Sequence, residues 1–270
     1  MAKYLIVNAD DYGMCTAANE AVEELFQGAK ALPWEDWIGS LDAFPVKGWS
    51  RDSQLHSIPD CQSIIKKAIV NRLCEHYHLN WLEETGATCR ISFSIFKNKV
   101  CVMIDTSGDG LHKRGYRRNA NDAPLKETLA AAMCRIARPR EDVLFWDPFC
   151  GSGTLLIESA LMATNIAPGL RRYFAAERFG FLDSKIWREE RTRAQDLIRH
   201  NIDFKAQGFD IDPACVELTR ANAKKAGVAD CITFKDGDAT KMSLPTDSGL
   251  IVCNPPYGQR MMERHSAQRL

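Results

Sequence analysis

The stretch that most constrains this chain is Asp147-Pro148-Phe149-Cys150-Gly151-Ser152-Gly153-Thr154. The apolar run Val143-Leu144-Phe145-Trp146 precedes it and reads as a buried strand, and Leu155 to Met162 follows it and reads as a helix. Strand, glycine turn and helix form the opening unit of a doubly wound sheet. Gly151 and Gly153 allow φ values that a Cβ would penalise, and they let a ligand come close to the backbone. Taken alone, the turn fits an ordinary βα connection as well as a ligand cradle, because a lone glycine-rich match is weak.

Two further stretches narrow the choice. Gly208-Phe209-Asp210-Ile211-Asp212-Pro213 places Asp210 at the end of a second predicted strand, where an acidic side chain can hold a ribose diol. Leu250-Ile251-Val252-Cys253 then leads into Asn254-Pro255-Pro256-Tyr257-Gly258. An apolar strand ending in Asn-Pro-Pro-Tyr resembles the catalytic motif of class I methyltransferases that modify exocyclic amino groups of bases. The resemblance implies an α/β, Rossmann-like sheet and S-adenosyl-L-methionine as cofactor. It implies cofactor contacts from Asp147, Phe149, Gly151 and Gly153 after the first strand and from Asp210 and Ile211 after the second. After a third strand, expected over Cys231 to Phe234, it implies Asp238 and Ala239, with Asp238 bonding the adenine amino group. An Asp beside a strand end is also a common turn residue. Asp122-Ala123-Pro124-Leu125-Lys126-Glu127-Thr128 opens a helix reaching about Ile136, with its Pro well placed near the start. The resemblance lays this helix over the methionine end of the cofactor and makes Thr128 a contact, although a plain amphipathic helix accounts for the same pattern.

The residue types suit the chemistry. An exocyclic amino nitrogen is a poor nucleophile because its lone pair is conjugated into the ring. Accepting hydrogen bonds from both of its N–H groups favours a pyramidal nitrogen, and the Asn254 side-chain oxygen and the Pro255 carbonyl suit that task. Pro255 and Pro256 fix φ and remove two donors, which stiffens a loop that presents carbonyls. Tyr257 offers a flat face on which an extruded base can stack. Asn254, Pro255, Pro256 and Tyr257 are therefore the expected catalytic set.

The middle of the chain carries a second resemblance. Glu24-Leu25-Phe26-Gln27-Gly28-Ala29-Lys30, Pro33-Trp34, Ser53 to Gln62 and Asp105 to Arg117 are similar to the THUMP-domain RNA methyltransferases related to the bacterial large-subunit ribosomal RNA guanine-N2 enzyme. That similarity implies ribosomal RNA as partner and guanine N2 as target, with adenine N6 of RNA or DNA as the alternative in the same chemistry. It divides the chain into 1–26, a foreign-looking start; 27–111, a partial α+β THUMP-type RNA-binding module; and 112–270, the methyltransferase domain. Within the module, Pro59 can open a helix with Ile65, Ile69 and Leu73 inward and Lys66, Lys67 and Arg72 outward. Thr88 to Phe96 and Val100 to Asp105 alternate about Lys97-Asn98 as a hairpin does.

The start points elsewhere. Tyr4 to Val7 followed by Asn8-Ala9-Asp10-Asp11-Tyr12-Gly13 resembles the opening of YdjC-like carbohydrate deacetylases, whose paired Asp serves a metal. Those enzymes need histidine ligands in later segments, and none of His56, His76, His78, His112, His200 and His265 stands in a matching one. A metal needs several converging ligands, so no metal centre is expected. The classes left beside methyl transfer are a deacetylase and an inactive cofactor-binding fragment.

Composition adds bounds. No run approaches the roughly 18 apolar residues of a membrane span, and the start is too short for a signal peptide, so a cytoplasmic protein is expected. The ten cysteines lack paired spacing, and Cys101, Cys134 and Cys253 sit in apolar segments as buried thiols would. Net charge is zero, but Lys113, Arg114, Arg117, Arg118, Lys126, Arg135, Arg138 and Arg140 gather ahead of and around the first helix. A solvated face and a phosphate-contacting patch both explain that run. Asp183 to His200 reads as a charged surface helix. Beyond Tyr257, Gln259 to Leu270 is polar and shows no strand pattern, whereas the family continues with further strands. The expectation is an incomplete sheet whose Asn254 strand lies at an edge, in a chain that binds cofactor better than it turns over.

Overall fold

A computed structural model describes residues 16–53, 55–117, 125–241 and 248–256. Asp10, Asp11 and Tyr257 lie outside the described residues. The chain divides into two compact units, the first formed by Met1–Asp109 with Phe174–Trp187 and the second by Gly110–Tyr173 with Arg188–Leu270. Among the described residues no helix is long and apolar enough to cross a membrane.

The first unit runs α1 (Thr16–Lys30), β1 (Val46–Arg51), α2 (Ile58–Tyr77), β2 (Ile91–Phe96) and β3 (Lys99–Ile104). Pro59 sits in the first turn of α2, where its missing N–H costs nothing. Ile65, Ile69 and Leu73 are fully buried, as their spacing predicts. Of the outward set, Lys67 is exposed, but Lys66 pairs with Glu84 at 2.6 Å and Arg72 with Glu35. β1 runs parallel to β2, and β2 and β3 form the expected hairpin. Lys97 and Asn98 both take positive φ (49° and 60°), the geometry of a primed two-residue turn that matches strand twist. Ile91, Phe93 and Ile95 face the core with Trp34, Phe44 and Leu55. Cys101, expected as a buried thiol, is exposed, because alternation along β3 turns it to the outer face.

Residues 174–187 return to this first core although they interrupt the second unit in sequence. Ala176 and Phe179 are buried in it, and the Ala176 N–H bonds the Thr106 carbonyl at 3.1 Å. The charged helix that follows, α5 (Ser184–Asp196), has no buried residue.

The second unit holds α3 (Glu127–Ala137), β4 (Leu144–Asp147), α4 (Thr154–Ala163), β5 (Ala206–Asp210), α6 (Pro213–Ala226), β6 (Ile232–Asp236) and β7 (Gly249–Ile251). The four strands stand in the order β6-β5-β4-β7, all parallel. The order makes β4 the point from which connections diverge, the switch point at which open α/β sheets bind ligands. The ends of α6 follow the sequence signals: Asp212 caps the N-terminus through the Ala214 N–H, Pro213 follows, and Gly227 closes the helix at φ 80°. Strand β6 begins one residue later than expected, because Cys231 closes a short 3-10 turn. Strand β7 is shorter than expected. Its last ladder bond runs from the Val252 N–H to the Trp146 carbonyl at 3.0 Å, and Pro255 and Pro256 carry no N–H with which to prolong it.

Candidate cofactor and active site

The carboxyl ends of the four parallel strands carry most of the residues singled out from sequence. After β4, Asp147 is 1% exposed, and its Oδ1 accepts the Phe149 N–H at 3.1 Å. Burial pushes the Asp147 carboxyl up to about 7; the Phe149 N–H opposes that rise and the charge of Asp210 adds to it. The turn then closes through the Gly153 N–H on the Cys150 carbonyl at 2.7 Å. Gly151 and Gly153 take φ of 53° and 77°. A Cβ on Gly153 would stand 2.3 Å from Thr219 Cγ2, so no side chain fits there.

Helix α6 clamps this turn. Thr219 Oγ1 donates to the Gly151 carbonyl at 2.7 Å, and Asn222 Nδ2 donates to the Ser152 carbonyl at 3.1 Å. Both side chains are buried (0% and 3% exposed) on the face of α6 that also carries Val216, Ala223 and Ala226. Neither was singled out from sequence. The signal was present as two polar residues at helical spacing on an apolar face, since buried polar groups need partners.

After β5, Asp210 Oδ2 accepts the Gly151 N–H at 2.8 Å and Oδ1 accepts the Asp212 N–H at 3.0 Å. Each oxygen keeps a further lone pair, so a carboxylate fixed by backbone remains able to receive a diol. Ile211 beside it is 73% exposed, an apolar surface next to a fixed charge. After β6, the Gly237 N–H bonds the Asp210 carbonyl at 2.9 Å, which ties the second and third strand ends together. Asp238 is 31% exposed and pairs with Lys241 at 3.3 Å, and Ala239 begins a short 3-10 turn. After β7, Asn254 and Pro255 are exposed and Pro256 is half-buried. The pairing of Trp146 with Ile251 sets the β7 end beside the β4 end, and Cys253 there has its thiol pushed up by burial, with the charge of Asp147 adding.

Thr128 lies in the first turn of α3. It lines a cleft of about 650 Å³ beside the C-terminal half of α4, with Arg114, Glu158, Leu161 and Met162. The basic run divides, and Arg118 of it lies outside the described residues. Arg114 and Arg117 turn inward, with side chains only 13% and 12% exposed. Arg114 pairs with Glu158 at 3.3 Å, and Tyr116 donates its hydroxyl to the other Glu158 oxygen at 3.1 Å. Arg117 pairs with Glu127 at 3.5 Å and bonds the Leu125 carbonyl and Thr154. Neither guanidinium is available to phosphate, because each is held by a buried carboxylate. Lys113, Lys126, Arg135, Arg138 and Arg140 are exposed.

An all-parallel sheet with a tight glycine turn after β4 and carboxylates after β5 and β6 defines a doubly wound, nucleotide-cofactor-binding domain. Residues 114–270 match the family model described as RMKL-like, methyltransferase domain, and residues 19–105 match the THUMP domain model. The chain belongs to the RMKL-like methyltransferase domain family and carries a THUMP domain. It is 40% identical over 250 residues to the Bacillus subtilis (strain 168) protein named "Putative RNA methyltransferase YpsC", covering 92% of this chain and 65% of that one. It is 36% identical to the ribosomal RNA large subunit methyltransferase K/L of Shewanella pealeana, over 90% of this chain and 35% of that one. Among solved structures, a predicted N6-adenine-specific DNA methylase from Listeria monocytogenes superposes with a TM-score of 0.87 at 44% identity, and SMU.472 complexed with SAH with 0.84 at 38%. Each superposition covers 92% of this chain and 66% of the other. The chain thus spans about two thirds of the length of the Bacillus relative and about one third of the Shewanella one.

Proposed function

We propose that this chain is an S-adenosyl-L-methionine-dependent enzyme that methylates an exocyclic amino group of a base in ribosomal RNA, with guanine N2 as the target. The observation that supports it most is the convergence of Asp147, Asp210, Asp238 and Asn254 on the carboxyl ends of four adjacent parallel strands. The residues fit the cofactor: Asp210 has a fixed carboxylate with lone pairs to spare, Ile211 offers apolar surface, and Gly153 cannot carry a side chain. When bound, S-adenosyl-L-methionine supplies an electrophilic methyl group on a sulfonium.

In this reading Asp210 holds the ribose diol, with Phe149, Ile211 and Ala239 beside the nucleoside and Asp238 on its amino group. Asp147 and the turn at Gly151 and Gly153 hold the amino-acid end, and Thr128 is a further contact through the start of α3. Asn254 and the Pro255 carbonyl accept the two N–H bonds of the target amine, and Pro256 keeps that loop stiff. Tyr257 stacks on the base. Residues 27–111 serve as the RNA-binding module and 112–270 as the methyl-transfer domain, acting in the cytoplasm, with residues 1–26 contributing no metal centre.

The test is transfer of tritiated methyl from S-adenosyl-L-methionine to large-subunit ribosomal RNA, followed by nucleoside chromatography. Label in N2-methylguanosine, lost in Asn254→Ala, is the expected result. Label in N6-methyladenosine would move the assignment to the adenine reading, and absence of both label and SAH binding would overturn it.

A further inference from the structure

The three-stranded sheet of the first unit has a second face that its core does not use. Strand register sets Lys47, Ser92 and Met103 in one cross-strand row, Trp49, Ser94 and Cys101 in the next, and Arg51, Phe96 and Lys99 in the third. These positions alternate with Ile91, Phe93 and Ile95, which are buried. Trp49 is 50% exposed and Phe96 42%, at diagonal positions on adjacent strands. Lys47, Arg51, Lys97 and Lys99 are all exposed, and Lys97 Nζ lies 5.2 Å from the Phe96 ring centroid. None of the strand positions on this face is acidic; of the acids near it, Asp52 lies 3.6 Å from Arg51 and Glu24 lines a pocket with Cys101 at the β3 edge.

Flat rings on a sheet with hydroxyls between them and cations at the margins are what unpaired nucleotides require. Bases stack on the rings, and phosphates meet the cations. A duplex keeps its bases stacked inside itself, so it would engage the cations and leave Trp49 and Phe96 idle. A protein partner could cover the rings, but lysine is depleted from such interfaces, and three of the four cations here are lysines. We infer that this face binds single-stranded RNA, with Trp49 and Phe96 stacking on bases and Lys47, Arg51, Lys97 and Lys99 meeting phosphates. The inference rests on the reading of the chain as an RNA-modifying enzyme and adds to it an RNA conformation and a surface.

The full chain would be titrated into a fluorescein-labelled single-stranded oligoribonucleotide of about 12 nucleotides, and into a hairpin of the same composition, by anisotropy. The expected result is preference for the single strand, with affinity weakened on the order of 10-fold by Trp49→Ala and similarly by Phe96→Ala. Lys47→Ser and Lys99→Ser should each lower the slope of log affinity against log salt by about 0.7. SAH binding, measured in parallel, should be unchanged in all four variants. Wild-type binding of the single strand that survives both aromatic substitutions would overturn the inference while leaving the enzymatic reading intact. Equal binding of the hairpin would do the same. Loss of self-association in Trp49→Ala, with RNA affinity unchanged, would reassign the face to a protein contact. Failure of the wild type to bind either RNA while still binding SAH would overturn the inference and the RNA substrate together, and failure to bind SAH would count against the cofactor reading alone.

Discussion

Asp210 reaches from the end of β5 to accept the Gly151 N–H at 2.8 Å, so the carboxylate after the second core strand orders the glycine turn after the first. In the proposed reading the same carboxylate also receives the cofactor's ribose diol, and the two tasks separate experimentally. Asp210→Asn keeps the shape but removes the charge from a hydrogen bond to backbone and from the diol site. Asp210→Ala removes both. Charge-assisted bonds contribute roughly 1.5–3 kcal/mol. Calorimetric titration with SAH is expected to show affinity about 10- to 150-fold weaker in Asp210→Ala, with the Asn variant between it and wild type. Unchanged affinity in the Ala variant would remove Asp210 from the cofactor site.

Gly153 is the position where the turn tolerates least. Its φ of 77° and the 2.3 Å approach of a Cβ to Thr219 Cγ2 act together. Gly153→Ala is expected to destabilise the second unit by about 2–4 kcal/mol, combining overpacking with left-handed strain. Thr219→Ser keeps the hydroxyl that bonds the Gly151 carbonyl and deletes the clashing methyl. The double variant should therefore recover part of the loss in denaturant unfolding, leaving the backbone strain. No recovery would mean that the clash is not the cause.

Arg114 and Glu158 form a partly desolvated pair whose value lies in being complete. Burial raises the Glu158 carboxyl, and Arg114 and Tyr116 oppose that rise. Arg114→Ala strands Glu158 at 4% exposure and is expected to cost about 3 kcal/mol or more. Replacing both by leucine should cost much less, because no uncompensated charge remains. Raising salt from 0.1 to 0.5 M, roughly the range over which exposed pairs are screened, should leave the wild-type contribution nearly unchanged. A double-mutant cycle in urea reads all three expectations, and a coupling energy near zero would return Arg114 to the surface.

Much of the second unit was legible because its punctuation is local. Gly151 and Gly153, Pro213, Gly227 and the apolar run before Asn254 mark element ends within a few residues of themselves. The inward turn of Arg114 was not legible, since Glu158 lies 44 residues away inside a largely apolar helix. A basic run carries no mark of which members have buried partners. The return of residues 174–187 to the first core was likewise hidden, because Ala176 and Phe179 are too few to declare which core they join. Thr128 was singled out by its place at a helix start, and the cleft it lines with Arg114 and Glu158 carries no local mark in the sequence. Cys101 was misplaced by reading an apolar run as uniformly buried, when strand alternation exposes every second residue.

Asp147 should make both stability and cofactor affinity depend on pH, in opposite directions. Its carboxyl stands near 7 in the fold against 3.8 for the ordinary group, chiefly through burial. Between about pH 4 and 7 the folded chain holds a proton that the unfolded chain has released. Stability therefore falls as pH rises through that window and levels off above it, by a few kcal/mol at most. In the proposed reading the ligand's ammonium meets Asp147 and favours its ionised form, so SAH should bind more tightly as pH rises towards 8 and should release a proton below about 7. Titrations at pH 6.5 in buffers of different ionisation heat, run on wild type and Asp147→Asn, measure that proton directly. Asp147→Asn is expected to be more stable than wild type at pH 8, to bind SAH more weakly there, and to release no proton. Equal proton release by the two chains would show that Asp147 is not the group that meets the ligand's charge.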